Sequence, residues 1–265
     1  MKKKSFSFKF GTVCIGFVAL LSLISCFYTP YDTNVMDTDN RFFAPGMSHI
    51  LGTDNFGRDI LSRLMEGGKF TLIVALSTVL IAGIIGCILG LICGYKGKIL
   101  DEVIMRIMDA LNSFPGILLA LVVVTVLQEG KYTIIIALSI LFVPNFTRVV
   151  RSGTLKYKNS DFIKSARVFG AGDFRIIFFH ILPNLYSEIL SVTIISLSKA
   201  ILAESSMSYL GLGIQPPDPS WGRMLSEAQA YLFNAPWCAI APGIMIMITV
   251  IGLNCIAEEI QKKYC

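Results

Sequence analysis

The stretch 155–184, LKYKNSDFIKSARVFGAGDFRIIFFHILPN, decides how this chain is read, because it is the longest basic segment of a sequence that is otherwise mostly apolar. Asn159 or Ser160 is placed to cap a helix, since a short polar side chain can accept the unpaired amides of a first turn. Phe162, Ala166 and Phe169 then recur at helical spacing on one side, and Gly170 stands where a left-handed residue ends a helix. Asp173 is expected to cap the next helix, which runs over 174–182 into Pro183. About ten residues of helix make a peg roughly 15 Å long. Such a peg is too short to cross a bilayer and too apolar on one side to stand free in water. It wants a groove on another molecule.

Around the peg the sequence is that of a membrane protein. Hydrophobic residues make up 54% and charged residues 15%, and the mean hydropathy is +0.67, outside the range of soluble domains. Six apolar runs are long enough, or nearly so, to cross: about 11–28, 71–94, 102–128, 132–150, 185–207 and 236–257. The expectation is an all-α integral membrane protein of six transmembrane helices, forming one domain over 1–265 without a soluble domain. Residues 1–70 hold the first helix and an outer segment; 71–265 hold a five-helix core with the basic loop 151–184.

Lys and Arg set the orientation. With both termini cytoplasmic, most of the 23 basic residues fall inside, among them Lys2, Lys3, Lys4, Lys96, Arg148, Arg151, Lys158, Lys164 and Arg167. Only Arg41, Arg58, Arg63, Lys69, Lys131 and Arg223 are left outside, with Lys199 inside a span, as the positive-inside rule favours. This asymmetry accounts for the net charge of +5 without nucleic-acid binding, and it puts the peg in the cytoplasm. Lys2–Lys4 before an apolar run resembles a signal peptide, and Leu23-Ile24-Ser25-Cys26 resembles a lipoprotein cleavage box. Five further spans make a retained first helix the simpler reading.

The seven cysteines show no Cys-x-x-Cys pair, and His49 and His180 lie on opposite sides of the membrane, so no metal site is expected. In the second span Ala82, Gly86, Gly90 and Gly94 recur every four residues, a helix-packing stripe whose partner the sequence does not name. Ionisable groups in spans are candidates for function. Arg106 and Asp109 are spaced to pair on one helix, whereas Lys199 and Glu204 point about 140° apart. Glu204, near Ser205, Ser206 and Ser208, reads either as a pathway-lining group or as a partner for the loop 211–221. Asp109, Asn112, Glu204 and Ser208 are the translocation-path candidates, and Pro115 should kink the third span. Outside, Leu61, Leu64 and Met65 suggest a segment lying along the outer surface, and Trp221 an interfacial aromatic behind Pro216, Pro217 and Pro219. The sequence contains no phosphate-binding Gly-x-x-x-x-Gly-Lys-Ser/Thr loop, no Gly-x-Ser-x-Gly elbow and no His-Glu-x-x-His.

The peg also resembles the EAA loop of bacterial ABC-importer permeases, more narrowly the C-type subunit of the dipeptide/oligopeptide/nickel subfamily. Lys164, Ser165 and Ala166 stand at the Glu-Ala-Ala positions, Gly170 at the glycine, and Ile181-Leu182-Pro183-Asn184 at the end. Lys164 and Ser165 depart from the pattern. LGTDNFGRDILSRL (51–64) and LAESSMSYLGLGIQPPDPSWG (202–222) resemble the same subfamily. The resemblance implies a type I importer permease in the bacterial cytoplasmic membrane, non-catalytic and without a cofactor, ATP being bound by partner subunits. Implied partners are a second homologous permease, two cytoplasmic ABC ATPases, an extracellular solute-binding protein and membrane lipid. The implied cargo is a small peptide, or nickel or a metal chelate. Asp161, Phe162, Lys164, Ser165, Ala166, Arg167, Phe169, Gly170 and Asp173 are the implied ATPase-coupling residues. A secondary transporter would have no reason to present such a peg, and a membrane enzyme would need the nucleophile–base motifs that are missing.

The orientation is tested with an impermeant thiol reagent on intact cells, read by mass spectrometry of the C-terminal peptide. Cys265 should stay unlabelled; its labelling would place the C-terminus outside.

Overall fold

The structure, a computed structural model, describes residues 6–128 and 130–264; Lys2, Lys3, Lys4 and Cys265 lie outside the described residues. Eleven helices are named in chain order: α1 (Phe6–Ile24), α2 (Ile60–Lys96), α3 (Lys98–Ser113), α4 (Gly116–Leu127), α5 (Lys131–Lys158), α6 (Asp161–Val168), α7 (Asp173–Arg175), α8 (Leu182–Asn184), α9 (Tyr186–Tyr209), α10 (Trp221–Ala228) and α11 (Trp237–Tyr264). Five of them, α1, α2, α5, α9 and α11, are long and apolar enough to cross a membrane. A sixth span is completed if the pair α3 and α4, bent by 96° at a short break, counts as one crossing.

That bend replaces the expected kink with a break. Phe114, forced out of helical conformation by the ring of Pro115, is extended at φ −84° and ψ 140°. The break separates two different environments. Lys98, Asp101, Glu102, Arg106 and Asp109 crowd α3, while α4 contains no charge at all. Arg106 does not pair with Asp109, as their spacing suggested; it bonds Glu102 at 3.0 Å, one turn back.

The 37 residues of α2 correct the outer boundary of the second span. Asp59 caps this helix by accepting the Ser62 amide at 2.8 Å, so it starts well before residue 71. Leu64 and Met65 are therefore buried inside the protein rather than laid along an outer surface. Trp221 is likewise no interfacial aromatic. It is fully buried, its indole N–H donates to the Leu64 carbonyl at 3.0 Å, and Gly68 leaves the space its ring needs. Arg58 and Arg63, also buried, both reach Glu227 of α10, at 2.8 and 3.1 Å, and Arg58 bonds Asp54 at 2.7 Å. Charges this deep are tolerated because each is met by an opposite one.

The small-residue stripe of α2 packs on α5. A Cβ on Gly86 would sit 2.4 Å from Phe146 Cβ; on Gly90, 2.7 Å from the Thr147 carbonyl; on Gly94, 2.6 Å from Thr154 Cβ. Ala82, one turn earlier, is fully buried beside Phe142 and Phe146. Thr147 and Thr154 donate to carbonyls of their own helix at 2.9 and 2.7 Å, so neither of these hydroxyls is stranded. A second close crossing joins α1 to α11, where a Cβ on Gly11 would lie 2.5 Å from the Gly252 carbonyl.

Gly90→Ala should destabilise the protein by about 1–3 kcal/mol, the usual scale for overpacking a tight contact. Gly83→Ala, whose Cβ would meet Phe146 at an ordinary 3.5 Å, should be near neutral. Thermal unfolding of the two detergent-solubilised variants makes the comparison; equal melting temperatures would refute the seam.

Candidate functional site

The basic loop is built as two short helical pieces hung from the ends of α5 and α9. Asn159 and Ser160 separate α5 from α6, though neither caps by side chain: Ser160 Oγ donates backwards to the Tyr157 carbonyl at 2.6 Å. The eight residues of α6 make a peg of about 12 Å, shorter than expected. Its C-terminus closes as a Schellman turn. Gly170 is left-handed at φ +82°, its amide donates to Arg167, and the Ala171 amide donates to Ala166.

Burial divides the peg. Ile163 is completely buried in a cluster with Leu91, Tyr95, Val150, Ile176, Ile181 and Leu185, which fixes α6 to the body. Phe162 is 43% exposed, Val168 85% and Phe169 90%, with Ala166 half-buried between them. Phe174 and Phe179 add two more exposed rings below. Apolar side chains exposed together on one short helix are the kind of surface from which a docking role is argued. Lys164, which stands where an acid was expected, bonds Asp161 at 2.9 Å within the peg, and Ser165 Oγ donates to the Asp161 carbonyl.

Tyr95, at the end of α2, is the joint between peg and membrane. Its hydroxyl donates to Asp173 Oδ1 at 2.5 Å and accepts from Arg167 Nη2 at 3.1 Å. The Arg167 guanidinium also lies over the Tyr95 ring, 5.6 Å from its centre, and Lys158 Nζ donates to the Tyr95 carbonyl. Asp173 is therefore not the cap of the following helix; Gly172 precedes α7, and the Asp173 carboxylate is spent on Tyr95. From α7 the chain passes through a π-helical turn, Ile176–Ile181, in which the Leu182 amide donates to Ile177 five residues back. Pro183 follows, with no amide to continue an α-helical ladder. Sequence reasoning missed Tyr95, because an isolated tyrosine at the end of a span reads as an interfacial anchor.

The pathway candidates separate into two groups. Asp109 bonds Arg148 of α5 at 2.6 Å, and with the Asn112 amide turned over its oxygen accepts from the same guanidinium at 3.1 and 3.2 Å. Asn112 also lines a cleft of about 420 Å³ at the α3–α4 break, with Phe114, Ile117, Phe142, Lys199 and Met207. Glu204 and Ser208 are elsewhere and completely buried, bonded to each other at 2.6 Å, with Thr71 and Ser220 also bonded to the carboxylate. That cage ties α9 to α2 and to the residue that caps α10, and it faces no open path in this structure. Arg151, in turn, grips Asp101 with two bonds of 2.5 and 2.6 Å, fastening α3 to α5.

Residues 86–264 match the family model of the binding-protein-dependent transport system inner membrane component. A glutathione transport system permease protein GsiD from Pectobacterium atrosepticum is 40% identical over 254 residues, covering 94% of this chain and 84% of the relative. The dipeptide transport system permease protein DppC of Alkalihalophilus pseudofirmus is 38% identical, with 95% and 83% covered. A chain of the MetNI methionine ABC transporter, solved in inward-facing conformations, superposes with a TM-score of 0.62 at 18% identity, over 77% of this chain and 96% of that one.

Tyr95→Phe removes the hydroxyl that joins Arg167 to Asp173 and leaves the ring in place. Amides of 163–176 should exchange with deuterium severalfold faster, a loss of about 1 kcal/mol of local stability. Unchanged exchange would show that the hydroxyl holds nothing.

Proposed function

The chain belongs to the binding-protein-dependent transport system inner membrane components, and on that premise we propose that it forms, with a second homologous permease, the pathway of an importer for peptide-sized solutes. It is a non-catalytic permease subunit, and ATP is bound by partner subunits. The reading adds two cytoplasmic ATPases that seat the peg in a groove, and an extracellular binding protein that delivers cargo to the outer face. The names of the relatives, for glutathione and dipeptides, support a peptide-like cargo over a metal chelate. Membership of this family also sets aside the secondary carrier and the membrane enzyme.

The observation that carries the reading is the exposed apolar peg held by Tyr95. Phe162, Val168 and Phe169 are exposed, while Ile163 and Arg167 bind the same helix to the body. Two ATPases that close on ATP would carry α6 with them as a rigid body. Through Arg167, Asp173 and Tyr95 that displacement reaches α2, and through the glycine seam it reaches α5. Each accessible state of the pathway is then favoured by whichever arrangement the ATPases hold. Lys164, already neutralised by Asp161, leaves the contact to the aromatic rings rather than to a salt bridge.

Ala166→Asp would press an unpaired carboxylate into the docking groove, and Gly170→Val would strain the left-handed turn by about 1–2 kcal/mol. Both variants should insert and pair with the second permease but lose the ATPase or its coupling to uptake. Co-purification and transport assays read this out. If both variants keep the ATPase and transport normally, the peg is not the docking element.

A further inference from the structure

Lys199 is the one ionisable residue of α9 that points into the cleft at the α3–α4 break. It stands fourteenth in a helix of 24 residues, so roughly 15–20 Å of helix separate it from either end. A lysine stem cannot snorkel that far, and a cation held at such depth without a purpose is disfavoured. Among the described residues no carboxylate lies within ion-pair distance of it. Glu204, the acid nearest to it along α9, is turned about 140° away and enclosed by hydroxyls. Arg148, the other cation at this edge, is balanced by Asp109. The cleft therefore carries one uncompensated positive charge against apolar walls supplied by Phe114, Ile117, Phe142 and Met207, a geometry that concentrates anions.

We propose that Lys199, with Asn112 beside it, is the station where the pathway meets the carboxylate of its cargo. The inference rests on the importer reading above and supplies its substrate chemistry: a solute carrying a free carboxylate, as a peptide C-terminus does. The contact lowers the barrier to a carboxylate crossing the span and is too open to retain it, Lys199 standing exposed at the cleft rather than enclosed by its own subunit. A long neutral side chain at this position would leave the walls intact and remove only the charge.

The test uses the complete importer, both permeases, ATPases and binding protein, in proteoliposomes, with trialanine and trialanine amide as probes. The ratio of their uptake rates cancels any preference of the binding protein when a variant is compared with wild type. Lys199→Met should lower the trialanine-to-amide ratio about tenfold, and Lys199→Arg should keep it within twofold. An unchanged ratio in Lys199→Met overturns the assignment alone. Loss of the second permease from the purified Lys199→Met complex overturns it too, since the carboxylate would then be that subunit's side chain. A wild-type complex that moves neither peptide overturns the importer reading, and the assignment with it.

Discussion

The backbone-to-backbone contact between α2 and α5 is the constraint on which the other positions depend. Gly86, Gly90 and Gly94 admit the Phe146, Thr147, Val150 and Thr154 face of α5 with no side chain between. Because the two helices cannot slide past each other without collision and lose dense contact if they part, α5 becomes the post to which α3 is fastened by Arg151–Asp101 and Arg148–Asp109, and on which α4 rests through Ala120, Val124, Ile134 and Leu138. In lipid there is no hydrophobic force to drive helices together, so close van der Waals contact carries this duty. The charged clasps then fix rotation, which glycines alone would leave free.

Helix count, the packing stripe and the short helix of the basic loop were legible because each depends on short-range pattern. Four small residues in register, a glycine after an amphipathic turn and an apolar run of twenty are all local statements. What was not legible required partners far apart in the chain. Tyr95 acquires meaning only when Arg167 and Asp173 fold back onto it, and Trp221 becomes core only because Asp59 starts α2 early enough to put Leu64 beneath it. The pairing of Arg106 with Asp109 failed for the same reason: Arg148, on another helix, took Asp109. Glu204 read as either a pathway group or a partner of the loop that follows it; the structure encloses it with hydroxyls, among them Thr71 of α2, which no local pattern announces.

The two ends of the molecule are organised differently. On the side of α10, buried arginines and carboxylates lock the segment 54–63 to Glu227, a network in which removing one member strands another. On the side of α6, a single tyrosine hydroxyl and one fully buried isoleucine hold a peg whose ionic pair, Lys164–Asp161, is exposed and weak. One end is cross-linked by buried charges. The other is joined to the body by few contacts.

The break at Phe114–Pro115 has a consequence for what can surround the subunit. Where α3 stops and α4 begins, carbonyls of one last turn and amides of one first turn lose their intrahelical partners. Hydrocarbon can satisfy neither, so lipid is a forbidden neighbour at that place and only protein or water is admitted. A lipid-free space beside Lys199 is thus required by backbone valence before any side chain is chosen. A copy of this subunit with acyl chains pressed against the gap would leave those groups unsatisfied, a cost that burying the gap against protein or water removes.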